Sequence, residues 1–311
     1  MLIFMSMAMI AGFLLANQSP INADLRGIVH SPFIAAAISF IVGTVFLAVI
    51  AWIQTGQLLP SWTVLAKLPW WLWLGGVLGL IYLTSNILLF SKIGAIQTVI
   101  LPMLGQIVMG IFIDTFGWFN SPVLALSFWR LAGIVTLFLG VIIAVVVPNL
   151  GNRVVVLNDE AKDVKIWLWQ VWAVIIGGFG AIQQAINGHL GVVLASPVQA
   201  TLISFGLGSI LIVILAYLVE RRMVSWQELK QTRPWNWLGG FLGALFVLTA
   251  VIALPHIGAG MTIMMGLLGQ ITGSILVQQF GWWHSIKKRV VPAQIIGIII
   301  MLVGVGLIKF L

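Results

Sequence analysis

LPMLGQ, residues 101–106, sets a proline and an amide inside an otherwise apolar stretch, and MGLLGQ, residues 265–270, repeats it 164 positions later. Around each copy the chain stays apolar for about 20 residues, enough for a helix to cross roughly 30 Å of hydrocarbon. Gln106 and Gln270 fall near the middle of their runs. An amide at that depth has no bulk water to bond with, so two at matched positions point to a polar centre built into a duplicated membrane protein.

Composition agrees. Of 311 residues, 61% are hydrophobic and 7% charged, whereas a soluble domain carries roughly 25% charged residues. Ten apolar runs are expected to form helices, over 2–22, 31–54, 70–90, 95–114, 124–147, 166–188, 196–219, 235–254, 258–279 and 290–310. The fold class is therefore an all-α polytopic membrane protein with ten transmembrane helices. The N-terminus has no basic leader and is expected to be retained rather than cleaved as a signal peptide. Cysteine is absent, which removes disulfides and thiolate chemistry.

The repeat extends through the chain. At an offset of 165, Gly12, Gln18, Asn22, Pro32, Ser39, Phe40 and Gly43 meet Gly177, Gln183, Asn187, Pro197, Ser204, Phe205 and Gly208. At 164, Trp71, Trp73, Gly75, Gly79, Gly94, Gly105, Gly117 and Gly133 meet Trp235, Trp237, Gly239, Gly243, Gly258, Gly269, Gly281 and Gly297. Shared hydrophobicity cannot align that many glycines, glutamines and tryptophans. The expected units are residues 1–147 and 166–311, joined by a polar linker, 148–165. Five helices per unit is an odd number, so the second copy enters the membrane upside down. Such inverted repeats are a plan of secondary transporters working by alternating access, with the site near the midplane where the repeats meet.

Lysine and arginine set the orientation. The ends of odd-numbered helices gather twelve on one side, including the run Lys287, Lys288 and Arg289, against Lys67, Arg130 and Lys309 on the other. The positive-inside rule then puts both termini outside the cytoplasm. The basic run reads as an orientation signal, and no nucleic-acid partner is expected despite a net charge of +8.

Candidate substrate-binding residues follow from depth and pattern. Gln106 and Gln270 head the set, with Pro102 and its mate Gly266 as hinges, because interrupted helices at corresponding positions point to a transport site; the plainer role for the two amides is glue between helices. Gln18 with Asn22, and Gln183 with Asn187, share a helix face at a spacing of four. Late in their helices, they are expected at opposite mouths, as gates or as polar helix ends. Tyr82 carries a hydroxyl that its mate Phe246 lacks, and Asn86 lies near it. Asp114 and Arg130 both change to glutamine in the second copy, Gln278 and Gln294, which suggests that the two positions touch as a structural or coupling pair. No carboxylate lies mid-helix, so the small-molecule solute is expected to be uncharged or zwitterionic. The four histidines lack metal-site spacing, and neither metal nor cofactor is expected. No nucleophile–base constellation or nucleotide-binding loop points to an enzyme. The alternative functions are a lipid-linked precursor flippase and a non-transporting scaffold in the lipid bilayer. A coupling ion, proton or sodium, and a homodimer are compatible with this pattern and not specified by it.

Gln18 with Asn22, SPFIAAAISFIVGT at residues 31–44, WLGGVLG at 73–79, Gly105–Gln106 and IDTFG at 113–117 together resemble the YdcZ-like family, a five-helix bacterial branch of the drug/metabolite transporter superfamily. Two such units are fused here. The resemblance covers nearly the whole chain and implies a ten-helix carrier of the bacterial inner membrane working by alternating access, without naming a substrate. Gln278 stands where the first unit has Asp114, so that part of the motif is carried by one half only.

Overall fold

The computed structural model describes residues 1–149, 166–284, 287 and 289–310; the expected linker, apart from residues 148 and 149, lies outside them. In chain order the helices are α1 (Leu2–Val29), α2 (Pro32–Thr55), the short α3 (Trp62–Leu65), α4 (Leu74–Phe116), α5 (Phe128–Val145), α6 (Ile166–Val193), α7 (Pro197–Glu220), the short α8 (Trp226–Gln231), α9 (Leu238–Ile257), α10 (Ala259–Phe280) and α11 (Pro292–Phe310). No strand occurs among the described residues. Among the described residues, seven helical spans are long and apolar enough to cross a membrane, and the stretches Ile100–Phe116 and Pro292–Ile308 are apolar but shorter.

Local chemistry sets the helix ends, and it does so in pairs. Ser31 and Ser196 accept the N–H of Ile34 and Gln199 at 3.1 and 3.3 Å, each with proline next at N1, a position where the missing donor costs nothing. Left-handed residues recur as repeat mates: His30 with Ala195, Gly56 with Arg221, Gly117 with Gly281, Phe119 with Trp283 and Asn120 with His284. Gly258, at φ 81° and ψ 166°, separates α9 from α10.

α4 is helical throughout its 43 residues but is not a rod. A straight helix would hold positions 82 and 106 about 36 Å apart. The Gln106 amide nonetheless donates to the Tyr82 hydroxyl at 2.8 Å. The helix therefore folds back between these positions, and its two arms lie side by side as α9 and α10 would if joined without a break.

Packing crosses between the halves. α1 lies on α9 and α10, α6 lies on α4, α2 pairs with α7 and α5 with α11. The crossings are close enough to need glycine. A methyl on Gly105 would run into the carbonyl of Val174, and one on its mate Gly269 into the carbonyl of Met9. Apolar side chains such as Ile41, Val45 and Val49 on α2, and Ile210, Ile214 and Leu218 on α7, face outward, while Asp114, Arg130, Gln106, Gln184 and Asn187 are buried. Apolar surface outside and polar groups within suit a lipid solvent.

Candidate functional site

Where the crossing helices part, they leave a cavity of about 160 Å³. α1 supplies Gln18 and Asn22, α6 supplies Gln183 and Gln184, α4 supplies Tyr82 and Gln106, and α10 supplies Gln270. Ser39 and Phe40 of α2, Ser204 and Phe205 of α7, and Phe246 of α9 complete much of the wall; among the described residues, no charged side chain lines it. The two central glutamines thus share one chamber. So do Gln18, Asn22 and Gln183, which corrects the expectation of two pairs at opposite mouths. α1 continues helically from Gln18 to Val29, and α6 from Gln183 to Val193. Each pair therefore sits inside its helix, because the helix outlasts the apolar run.

Glycines make room for these amides. Gly243 faces the amide of Gln18, and its mate Gly79 faces that of Gln183; a Cβ at either would overlap the amide nitrogen. Gln18 then donates to the Gly239 carbonyl at 2.8 Å. Ser39 donates to Asn22 Oδ1 at 2.7 Å, and Asn187 donates to Ser204 at 3.1 Å. Asn187 is fully buried behind the wall and supports Ser204 instead of lining the cavity.

The centre is unequal. Gln106 is held by Tyr82, but Gln270 stands near Phe246 in the same chamber, and a phenylalanine cannot offer the hydroxyl. Among the described residues, none provides a hydrogen-bond partner to the amides of Gln183, Gln184 or Gln270. Buried polar groups are nearly always paired. Gln184 is 7% exposed with its Oε1 unpartnered. It has no glutamine mate in the other repeat, where Ser19 stands at its position, so an alignment of the halves passes over it. A second glutamine beside Gln183, mid-helix, was the available signal.

Two further expectations are corrected. Asn86 turns back along α4 to donate to the Tyr82 carbonyl at 2.8 Å and does not line the cavity; an asparagine four residues on reaches that carbonyl more easily than the chamber. Pro102 and Gly266 do not interrupt their helices, since α4 and α10 run through both. They are crossing points instead: Gly177 packs against the Pro102 carbonyl, and Gly12 against that of Gly266. The interruption lies one element earlier, at Gly258.

Asp114 and Arg130 do meet. Arg130 Nη2 lies 2.9 Å from Asp114 Oδ2, with exposures of 7% and 0% for the two side chains. The carboxylate also accepts the N–H groups of Ala259 and Gly260 at 2.6 and 2.9 Å, and a second guanidinium nitrogen donates to the Leu124 carbonyl. Asp114 therefore caps the N-terminus of α10 from another helix, where free N–H groups and the helix dipole favour an anion. Gly258 and Gly260 admit it: a Cβ on either would press on the carboxylate. Neither backbone donor could be read from the side-chain pattern.

The helical bundle thus has an apolar exterior and a cavity where several amides and aromatic side chains meet. The model of the family described as "Putative inner membrane exporter, YdcZ" matches residues 3–143 and 168–307, and the chain belongs to this family of the drug/metabolite transporter type. No curated protein matches. A solved structure described only as "Crystal structure of protein" shares the fold at a TM-score of 0.70 and 14% identity, over 98% of this chain and 96% of that one.

Proposed function

We propose that the chain is a ten-helix secondary transporter built as a 5+5 inverted repeat, which moves a small uncharged or zwitterionic metabolite out across the inner membrane by alternating access. The observation that carries this reading is the shared chamber: amides of Gln183, Gln184 and Gln270 without protein partners, in a cavity free of charged side chains. Gln184 Oε1 is the buried and unpartnered atom among them, and such a group is costly to leave unsatisfied.

The repeat reading rests on exchanged contacts. Gly75 meets Asn187 as Gly239 meets Asn22, and Gly105 meets Val174 as Gly269 meets Met9. Mates that meet each other, Thr44 with Ser209 at 2.7 Å and Phe40 with Phe205 at 5.3 Å between rings, mark the pseudo-twofold axis. Counting the two arms of α4 separately supplies ten spans. The lysine and arginine asymmetry supports both termini outside the cytoplasm, and the family description supports export. Asp114 acts as a clasp with Arg130 rather than as the carrier of a coupling proton, since its oxygens are already committed to four donors or charges.

The cavity is smaller than the ~300–1,000 Å³ of drug-sized sites, which supports a small solute over a lipid-linked one. The test is thermal stabilisation of the detergent-solubilised protein by a metabolite library, followed by counterflow in liposomes. A soluble metabolite that stabilises wild type but not Gln270→Ala, and that exchanges across the bilayer, supports the carrier. Stabilisation confined to lipid-linked sugars would overturn it.

A further inference from the structure

We infer that the solute is a neutral, planar molecule presenting a hydrogen-bond donor beside an acceptor, the chemistry of a carboxamide, lactam or ureide. This rests on the chamber being the transport site and narrows what it accepts.

The unused hydrogen-bonding groups of the chamber decide the class. Each primary amide offers two N–H donors and a carbonyl acceptor. Among the described residues, Gln183, Gln184 and Gln270 spend none of these on the protein. Gln106 uses one N–H on Tyr82 and has no bonded partner for its oxygen, while the Tyr82 hydroxyl, having accepted, keeps its proton to donate. The chamber therefore offers donors and acceptors in comparable number. A carboxylate, which only accepts, leaves the amide oxygens bare. An ammonium, which only donates, leaves the N–H groups bare. Once the ligand has displaced water from these groups, either mismatch is unfavourable. A zwitterion fares no better, because no charged side chain lines the wall to answer either end. A carboxamide edge meets a glutamine amide with N–H to O in both directions.

Flatness comes from the walls. Phe40 and Phe205 lie on the pseudo-axis with rings 5.3 Å apart, and Phe246 faces the same space. Aromatic side chains in the wall favour a planar partner over a puckered polyol. Gln184 adds one more amide to the wall, with its Oε1 unpartnered and buried.

The test uses matched probes on the full-length detergent-solubilised protein: nicotinamide against nicotinate, which share a ring and differ in charge and donors, with uracil as a cyclic ureide, and alanine and glycerol as a zwitterion and a polyol. Nicotinamide or uracil is expected to raise Tm in a concentration-dependent way, with nicotinate, alanine and glycerol inactive. Gln184→Leu is expected to weaken the active probe about tenfold, as one to two hydrogen bonds lost. Gln184→Glu, which keeps shape but loses the donors, should weaken it too. Stabilisation by alanine, nicotinate or glycerol that is lost in Gln184→Leu would overturn the class while leaving the site in place. No response to nicotinamide or uracil overturns the class as well. If an active probe binds unchanged in both Gln184 and Gln270 variants, the chamber itself is not the site, and both readings fall.

Discussion

Tyr82 and Gln106 are 24 positions apart and joined by a 2.8 Å hydrogen bond, while their repeat mates Phe246 and Gln270 line the same cavity with no such bond available. One difference between the halves, a hydroxyl, thus decides which central amide is anchored and which is free.

Removing that hydroxyl should make the halves alike. Tyr82→Phe is expected to lower ligand-free stability by about 1 kcal/mol, the net worth of one hydrogen bond, and to free the Gln106 amide. Thermal melts of both proteins in one detergent measure it; an unchanged Tm would show that the bond contributes nothing.

The Asp114–Arg130 pair separates two kinds of loss. Arg130→Gln alone leaves a buried carboxylate without its cation and should cost about 3–5 kcal/mol. Asp114→Gln with Arg130→Gln copies the second repeat and should recover most of this. Recovery will be incomplete, because a glutamine oxygen replaces two carboxylate oxygens that bond Ala259 and Gly260 separately. Expression level and melting temperature of the single and double variants check the order.

Glycine positions divide sharply by surroundings. Gly105→Ala and Gly269→Ala place a methyl against backbone carbonyls of α6 and α1, which cannot retreat as a side chain could; each should cost at least the ~1–3 kcal/mol of overpacking. Gly27→Ala and Gly206→Ala meet nothing and should be neutral or stabilising by up to about 1 kcal/mol. Equal melting temperatures across the four would contradict the close crossings.

A pH effect is expected from the connection between α7 and α9. The Ser225 backbone N–H bonded to Glu228, together with Arg222 at 2.8 Å, holds that carboxyl below its ordinary value of 4.5. With the folded value depressed, the stabilisation is fully present above 4.5 and fades as pH falls through the folded value. Wild type minus Glu228→Gln, followed by thermal melts from pH 6 downward, should shrink towards zero over that acidic window. A constant difference would place the effect in packing.

Much of the fold was legible because matched glycines, glutamines and tryptophans survive only where geometry repeats. Helix ends were less so. Arg26 and Asp24 end the apolar run of α1, but the backbone keeps hydrogen-bonding to Val29 while Asp24 is satisfied by Asn236 and Trp235 at 2.9 and 3.1 Å. Hydropathy reports where lipid stops and not where a helix stops, and that gap misplaced Gln18 and Asn22. Pro102 misled for a related reason: a proline marks a missing donor, which does not by itself end a helix, and α4 is assigned as helix through it. Asp114 and Arg130 were legible as a pair because both changed together. Their backbone partners at Ala259 and Gly260 carry no side-chain signal.

The crossing of α1 onto α9 and α10, and of α6 onto α4, has a consequence for inheritance. A single unit with this packing would need a neighbour in which to seat its first helix. Fusion then lets each copy mutate alone, so that Tyr82 and Asp114 can stand in one half opposite Phe246 and Gln278 in the other. Severed chains spanning 1–149 and 166–311 should accordingly be unstable apart and reassemble when made together.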